Sequence, residues 1–205
     1  YGLLLSCIKD PNPCLFLKPK ALMRVRGEEL IPGEPTDEKD LKNKIDAPIG
    51  DRTNWKADWP SVEEYLVPFG KGKITRYGDQ ITVVSYGRHL LLCNEVADQL
   101  SAEGYSVEVI DLRSIYPYDW NMIKESVQKT GRVLFVNEDT EVTNFGEHLV
   151  YRVTQELFYD LLSRPRVVAG KNVPGIGLHP HLEDASVPQK HDIESAIREI
   201  CAEVP

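Results

Sequence analysis

The chain has 205 residues, a net charge of −8 and 41% hydrophobic residues, a composition typical of a soluble globular protein. The acidic balance argues against nucleic acid or an anionic membrane as its partner. No apolar run approaches the roughly 20 residues that span a bilayer, and the first residues carry no secretory leader pattern.

The first 24 residues predict a helix end, a turn and a short strand. Leu3 to Ile8 form an apolar run that leads into the sequence DPNP, and Cys14 to Leu17 form a second, β-prone run. A proline-bounded turn between two apolar runs is typical of the inside of a domain. Residues 1–24 therefore look like a piece from the middle of a domain.

Residues 25–66 predict a long, acidic connection that is rich in proline and glycine. They contain six Lys/Arg and eleven Asp/Glu, with isolated apolar residues such as Ile45, Trp55 and Trp59. Because exposed tryptophan is uncommon, we expect this segment to drape over a surface rather than to be disordered. A short helix is expected near the sequence DEKDLKNK.

From Val67 onward, strands and helices alternate. The run GKITRYGDQITVVSY predicts a β-hairpin with its turn at Gly78-Asp79, and this hairpin supplies an antiparallel edge strand. The later β-prone runs lie near residues 81–86, 107–111, 132–137 and 166–169. Their alternation with helices is typical of parallel βαβ units with right-handed crossovers.

Apolar residues at helical spacing predict four helices in this region. Asp119 is expected to cap the second of them and Gly131 to end it, as aspartate and glycine commonly do. The sequence predicts these helices near residues 88–104, 118–131, 145–162 and 191–204.

The four cysteines form no CxxC pair, and we interpret them as reduced thiols that pack as small hydrophobic groups, which favours a reducing compartment. They are Cys7, Cys14, Cys93 and Cys201. The sequence also lacks a P-loop, a GxGxxG after a strand, HExxH and GxSxG.

Four histidines are candidate ligands or catalysts. His179 and His181 flank a rigid proline with no obvious third ligand, which favours a loop or packing role over a metal site. His89 and His148 open predicted helices, where an exposed or capping role is expected. His148 alternatively faces a ligand at the carboxyl end of a strand, the usual binding edge of an open α/β sheet.

Two charged pairs follow predicted strands. Glu138-Asp139 can do acid–base work or bind a cation, but a loop or capping role is the favoured interpretation. Asp111 and Arg113 are expected to form an ion pair or an interface contact, since alternation places them on one side of the chain. On its residues alone, the sequence indicates a soluble α/β domain without a complete active site of its own.

Four segments together resemble the beta subunit of the thiamine-diphosphate-dependent 2-oxo acid dehydrogenases, of the pyruvate and branched-chain type. The segments are GLLLSCIKDPNPCLFLKPKALMR, VPFGKGKITRYGDQITVVSYG, VEVIDLRSIYPYDWNMIKESVQKTGRVLFVNE and LEDASVPQKHDIESAI. The resemblance covers residues 1–24 and 67–205; residues 25–66 are longer than the connection that is usual in the family.

The resemblance implies a fold and a domain division. Residues 67–205 are expected to form a three-layer α/β domain of the transketolase C-terminal type, with a mixed, mostly parallel five-stranded sheet and one antiparallel edge strand. Residues 1–24 become the remnant of an upstream pyrimidine-binding domain, and residues 25–66 become an acidic linker.

The resemblance also implies which groups this chain holds. The family's cofactor-binding glutamate and active-site histidine lie upstream of Tyr1, and the alpha subunit holds the diphosphate of thiamine diphosphate with its Mg²⁺. No catalytic or cofactor-binding residue is therefore expected in this chain. Matching the family's potassium loop residue by residue assigns K⁺ to Cys7, Ile8, Asp10 and Asn12, largely through main-chain carbonyls.

The implied function is oxidative decarboxylation of pyruvate or a branched-chain 2-oxo acid, with acyl transfer to a lipoyl group. The implied partners are an alpha subunit or alpha-like region, a second beta subunit and a dihydrolipoyl acyltransferase, which could meet the acidic residues Glu199 and Glu203. The expected location is the bacterial cytoplasm or the mitochondrial matrix. The alternatives are another transketolase-like thiamine enzyme and a non-catalytic assembly domain, and about 130 or more residues upstream would favour the enzyme.

Overall fold

A computed structural model describes residues 1–23, 25, 35–45 and 65–203, with the side chains of residues 44 and 45 excepted. The chain divides into two compact units, Tyr1–Pro68 and Phe69–Pro205. The expected surface contacts of Trp55 and Trp59 lie outside the described residues. None of the described helices is long and apolar enough to cross a membrane.

Among its described residues, the first unit contains two short α-helices. Helix α1 spans Gly2–Lys9 and ends at Asp10, because the next residue is a proline that cannot continue a helix. Helix α2 spans Glu38–Ile45, as expected from the sequence, and the Asp37 carboxylate caps it by accepting from the amides of Lys39 and Asp40.

The prediction of a strand from Cys14 to Leu17 is wrong. These residues are exposed and carry no strand hydrogen bonds, and the next ordered turn is a 3₁₀ helix at Lys20–Leu22. A β-prone run becomes a strand only when a partner strand takes up its amides and carbonyls, and the described part of the chain supplies none at this position.

The second unit contains a five-stranded sheet and five α-helices among its described residues. The strands are β1 (Lys73–Arg76), β2 (Ile81–Ser85), β3 (Val107–Asp111), β4 (Val133–Thr140) and β5 (Arg166–Gly170). The helices are α3 (Arg88–Ser101), α4 (Trp120–Thr130), α5 (Phe145–Leu157), α6 (Pro180–Ser186) and α7 (Lys190–Ala202).

The strand order is β1-β3-β2-β4-β5, with β1 antiparallel to β3 and all other neighbours parallel. This confirms the mixed, mostly parallel sheet with one antiparallel edge strand. Helices cover both faces: α3 and α7 pack on one, and α4 and α5 pack on the other. The domain therefore has the three layers that the resemblance implies.

The prediction of a hairpin between β1 and β2 is wrong, because β3 lies between these two strands in the sheet. Gly78 explains the detour. A Cβ at this position would lie 2.3 Å from the carbonyl carbon of Val107 and 2.5 Å from the amide nitrogen of Glu108. The connection thus passes directly over the start of β3, so the glycine permits a crossing of two backbones rather than a tight hairpin turn.

The ends of the helices follow their sequences. Asp119 caps α4 by accepting from the Met122 amide, and Gly131 ends the helix with φ 66°, both as expected. Asn144 caps α5 in the same way by accepting from Glu147. Helix α6 was not expected, since its sequence begins with His179-Pro180, but proline is favoured in the first turn of a helix.

Candidate functional site

In the first unit, the turn after α1 is held by a single carboxylate oxygen. Oδ1 of Asp10 accepts from the backbone amide of Asn12 at 2.8 Å and from its side-chain amide at 2.9 Å. The Cys14 thiol donates to the Asn12 carbonyl at 3.5 Å. These contacts give the DPNP turn one defined shape.

The same turn removes the helical partners of two carbonyls. The carbonyl of Cys7 would accept from residue 11, but this residue is Pro11 and has no N–H. The carbonyl of Ile8 would accept from the amide of Asn12, which instead donates to Asp10. Both carbonyls lie at the negative end of α1, an electrostatic environment that favours a cation.

In the second unit, the connections after β2 and β4 run to opposite faces of the sheet. Their carboxyl ends therefore form the topological switch point, the usual ligand-binding edge of an open α/β sheet. Side chains from the two sides meet across it. The rings of Tyr86 and Phe145 lie 6.4 Å apart, and His89 Nδ1 lies 3.8 Å from Glu138 Oε2.

His89 is buried, which corrects the expected exposed or capping role. Only 1% of its side chain is exposed, and Nε2 lies 3.1 Å from the Pro188 carbonyl. The ring turns inward from the first turn of α3 because this carbonyl, between α6 and α7, gives it a partner inside the fold. Burial lowers the pKa of His89, although the Pro188 hydrogen bond and Glu138 partly oppose that effect.

Glu138 and Asp139 have separate contacts. Glu138 faces His89, whereas Asp139 Oδ1 accepts from the amide of Thr140 at 2.8 Å. Burial, with a smaller contribution from the Asp139 charge, raises the pKa of Tyr86 to about 12. The two carboxylates therefore contact different neighbours across the switch point, and both lie within β4 (Val133–Thr140) rather than in the loop or cap that was expected.

His148 belongs to an aromatic and charged cluster that the sequence did not reveal. Its Nε2 is hydrogen-bonded to the Tyr118 hydroxyl at 2.9 Å, and its ring stacks on Phe145. Arg152 Nη1 donates to the same hydroxyl at 2.7 Å and Nε donates to Glu156 at 2.8 Å. Two of the guanidinium donors of Arg152 are therefore engaged within the cluster.

The remaining sequence candidates have local structural contacts. The Asp111 carboxylate accepts from the backbone amide of Arg113 at 2.9 Å, so the pair meets through the main chain rather than through a side-chain ion pair. Nδ1 of His179 accepts from the amide of His181 at 3.3 Å and caps α6, and both residues are exposed. The capping role replaces the loop that was expected there.

One buried carboxylate was missed entirely. Glu108 is 1% exposed in the middle of β3 and accepts from Ser126 and from the ammonium group of Lys129, both on α4. Thr82 and Thr130 extend this polar network through hydroxyl contacts to Ser126 and to each other. The alternation of apolar and polar residues along a strand does not reveal a buried glutamate. The partners that make its burial possible lie 18 or more residues away, on a helix.

No three His, Cys, Asp or Glu side chains converge on a metal position within the described parts of the chain. The four cysteines are free thiols, as expected.

The model of the family "Transketolase, C-terminal domain" matches residues 70–193, which are more than half of the chain. The chain belongs to this family.

The match extends beyond the family domain in curated relatives. The "Pyruvate dehydrogenase E1 component subunit beta" of Rhizobium meliloti is 31% identical over 98% of this chain and 37% of its own length. The "2-oxoisovalerate dehydrogenase subunit beta" of Bacillus subtilis is 30% identical over 97% of this chain and 52% of its own length. A mitochondrial pyruvate dehydrogenase E1 beta subunit of Caenorhabditis elegans is 32% identical over 96% and 48%, respectively. The chain thus spans about half, or less, of the relatives that it matches.

A solved structure supports the family fold. "Split gene transketolase, inactive beta4 tetramer" matches 69% of this chain and 46% of its own length, with a TM-score of 0.61 and 22% identity. At this identity the likeness concerns the fold alone. The family and the α/β fold inferred from the sequence are both confirmed.

Proposed function

We propose that this chain is the carboxyl-terminal region of a beta subunit in a thiamine-diphosphate-dependent 2-oxo acid dehydrogenase. The observation that carries the proposal is the extent of the match to its relatives. It spans 96% or more of this chain, so it includes the α1 segment as well as the family domain. The relatives carry the names of both pyruvate and 2-oxoisovalerate dehydrogenases, so the proposed substrate is pyruvate or a branched-chain 2-oxo acid.

In this role the chain builds structure around chemistry that occurs elsewhere in the assembly. When bound, thiamine diphosphate supplies the carbanion chemistry of decarboxylation. The described residues offer no converging donor set for its Mg²⁺. The family resemblance assigns the cofactor and Mg²⁺ to an alpha subunit or alpha-like region and to upstream beta residues.

The potassium assignment to Cys7, Ile8, Asp10 and Asn12 stays within this proposal. Its support is the local geometry: the turn is fixed by Asp10, and the carbonyls of Cys7 and Ile8 have lost their helical partners. Oxygen ligands suit a hard cation. The ion would hold the end of α1 in the shape that the subunit needs.

We further propose a second beta subunit and a dihydrolipoyl acyltransferase as partners. The acidic end of α7 is a weaker docking surface than its sequence suggests. Arg166 Nη1 donates to Glu199 at 2.5 Å and Nη2 donates to Glu203 at 2.6 Å. A basic partner would have to compete with these ion pairs.

The proposal is tested with the full-length protein, purified together with its alpha partner. We expect thiamine-diphosphate-dependent decarboxylation of pyruvate or of a branched 2-oxo acid, with lipoyl acylation when the acyltransferase is added. Activity with neither substrate class, in a complex that binds the cofactor, contradicts the proposal. Decarboxylation without lipoyl acylation would favour another transketolase-like thiamine enzyme.

A further inference from the structure

One side of α5 carries a row of exposed side chains, which we call the α5 stripe. Residues three and four apart lie on the same face of a helix, and this spacing joins Tyr151, Gln155, Phe158 and Leu162 along α5 and the turn that follows it. The side chains of Tyr151 and Phe158 are 66% and 62% exposed. The opposite side of the helix packs in the core of the second unit. The α5 stripe therefore faces away from that core.

The end of the α5 stripe is held in place by contacts with α4. The amide of Leu162 donates to the carbonyl that ends α4 at 2.8 Å, and the side-chain amide of Gln128 donates to Asp160 at 3.1 Å. Tyr159, which is 98% exposed, lies edge-on against Phe158 with the ring centres 5.4 Å apart. Because both rings are presented on a turn with a defined shape, burying them against a partner costs little conformational entropy.

The exposed aromatic area is large for one face of a domain. A whole aromatic side chain offers roughly 200 Å², so the exposed fractions of Tyr151, Phe158 and Tyr159 amount to about 450 Å². That is more than half of the roughly 800 Å² that each partner contributes to a stable protein interface. A contiguous patch of this size commonly marks an interaction site, and aromatic rings are enriched at such sites.

The α5 stripe carries little charge, which restricts its partner. Arg152 and Glu156 lie beside it but neutralise each other, since Arg152 Nε donates to Glu156 at 2.8 Å. The exposed carboxylate of Glu147 lies at the far end, in the first turn of α5. A strongly basic or acidic partner would therefore gain little attraction here. A second copy of this chain, despite its net charge of −8, brings a neutral face to a neutral face.

We propose that two copies of this chain associate through their α5 stripes, with the α5 helices antiparallel about a two-fold axis. Residues 151 and 158 are equally far from the midpoint between Thr154 and Gln155. Antiparallel pairing therefore places Tyr151 of each copy against Phe158 of the other and brings the two Gln155 side chains together near the axis. This inference rests on the proposed function, which calls for a second beta subunit, and names the surface that this subunit contacts.

The test is crosslinking in the full-length protein, purified together with its alpha partner. Gln155→Cys is treated with a short bismaleimide, and linked beta chains are measured by denaturing electrophoresis and peptide mass spectrometry. We expect a yield about tenfold or more above background, because association raises the effective concentration of the two introduced thiols. The background from native cysteines is measured in Gln99→Cys, the matched control, since Gln99 is an exposed glutamine on α3.

A charge pair tests the register of the two helices. In the Gln155→Cys protein, Tyr151→Glu should lower the yield about tenfold or more, since it buries a carboxylate against the Phe158 ring of the other copy. Adding Phe158→Lys to the same chain should restore the yield, because each carboxylate then faces an ammonium group. Tyr77→Glu, which changes an exposed tyrosine outside the α5 stripe, should leave the yield unchanged.

Each outcome decides the proposal. A link between beta chains that falls in Tyr151→Glu and returns in the double variant supports it. A yield equal to that of Gln99→Cys, a link to the alpha chain instead, or a yield that Tyr151→Glu leaves unchanged overturns it. Catalysis is not part of this readout, so an inactive complex that still forms the link contradicts the proposed function and leaves the α5 surface standing.

Discussion

One carboxylate, that of Asp119, fastens two separate parts of the second unit, the start of α4 and the approach to β1. Oδ1 accepts from the Met122 amide and Oδ2 accepts from the Gly72 amide, each at 3.2 Å. The side chain is almost fully buried, so water cannot replace it at either donor. The two contacts link a helix cap to the edge strand that the sequence alone joined to the wrong neighbour.

Asp119→Ala is therefore expected to lower the free energy of unfolding by about 2 kcal/mol, because it removes a cap and leaves a second amide without an acceptor. Urea unfolding followed by circular dichroism measures the change. Asp119→Asn keeps one side-chain oxygen and should retain about half of the lost stability. Equal losses in both variants would contradict the two-contact interpretation.

Replacement of Gly78 tests the crossing over β3. In Gly78→Ala, the new methyl group would meet the backbone of Val107 and Glu108, which cannot move aside as a flexible side chain can. We expect a loss of about 2–3 kcal/mol of unfolding free energy. Gly175→Ala is the matched control, since nothing lies within 4 Å of its added Cβ. Similar midpoints in thermal unfolding for the two variants would refute the crossing.

The stability of the protein should depend on the protonation of His89. Burial lowers its pKa in the folded state, so below the usual histidine pKa of about 6.5 the unfolded chain binds more protons. The stability that comes from keeping His89 neutral in the folded state is therefore fully present above that pH. It is lost as the pH falls toward the folded-state pKa. His89→Gln should flatten the stability curve between about pH 7 and pH 5. Curves of wild type and variant that stay parallel across this range would rule the effect out.

The proposed potassium turn predicts a cation-specific stabilisation. With the full-length protein, potassium chloride should raise the unfolding midpoint above that in choline chloride at equal ionic strength, because the ion binds only the folded state. Asp10→Ala should abolish this difference, since Asp10 fixes the turn. Asp184→Ala, which removes an exposed carboxylate on α6, should preserve it. If potassium still raised the unfolding midpoint of Asp10→Ala, the ion would bind at a position other than this turn.

The sequence predicted those features that depend on neighbours along the chain. The four later strands, the Asp119 cap and the Gly131 stop follow from local apolar spacing and backbone preferences. The potassium turn of the first unit rests on a resemblance and stays a prediction. The partner of β1 was not predictable, because the turn residues at Gly78 suit a reversal as well as a crossing.

The sequence predicted only one of the two residues that meet at the switch point. The position of Glu138 near the carboxyl end of a strand was evident, although the strand runs on to Thr140, but its neighbour His89 lies 49 residues earlier and was expected to be exposed or to cap its helix. A histidine in the first turn of a helix carries no local sign of burial. Its inward orientation depends on Pro188, which lies 99 residues later in the chain. Only the folded domain brings His89, Glu138 and Pro188 together.

The place of β1 beside β3 has a consequence for the order of folding. A β1–β2 hairpin would close a short loop and could form early, whereas here Ile74 pairs with Ile110, across the whole β2–α3–β3 unit. The entropic cost of closing that loop is offset by strand pairing only after β3 has docked on β2. The edge strand should therefore join last, and mutations in β1 should speed unfolding while leaving the folding rate nearly unchanged.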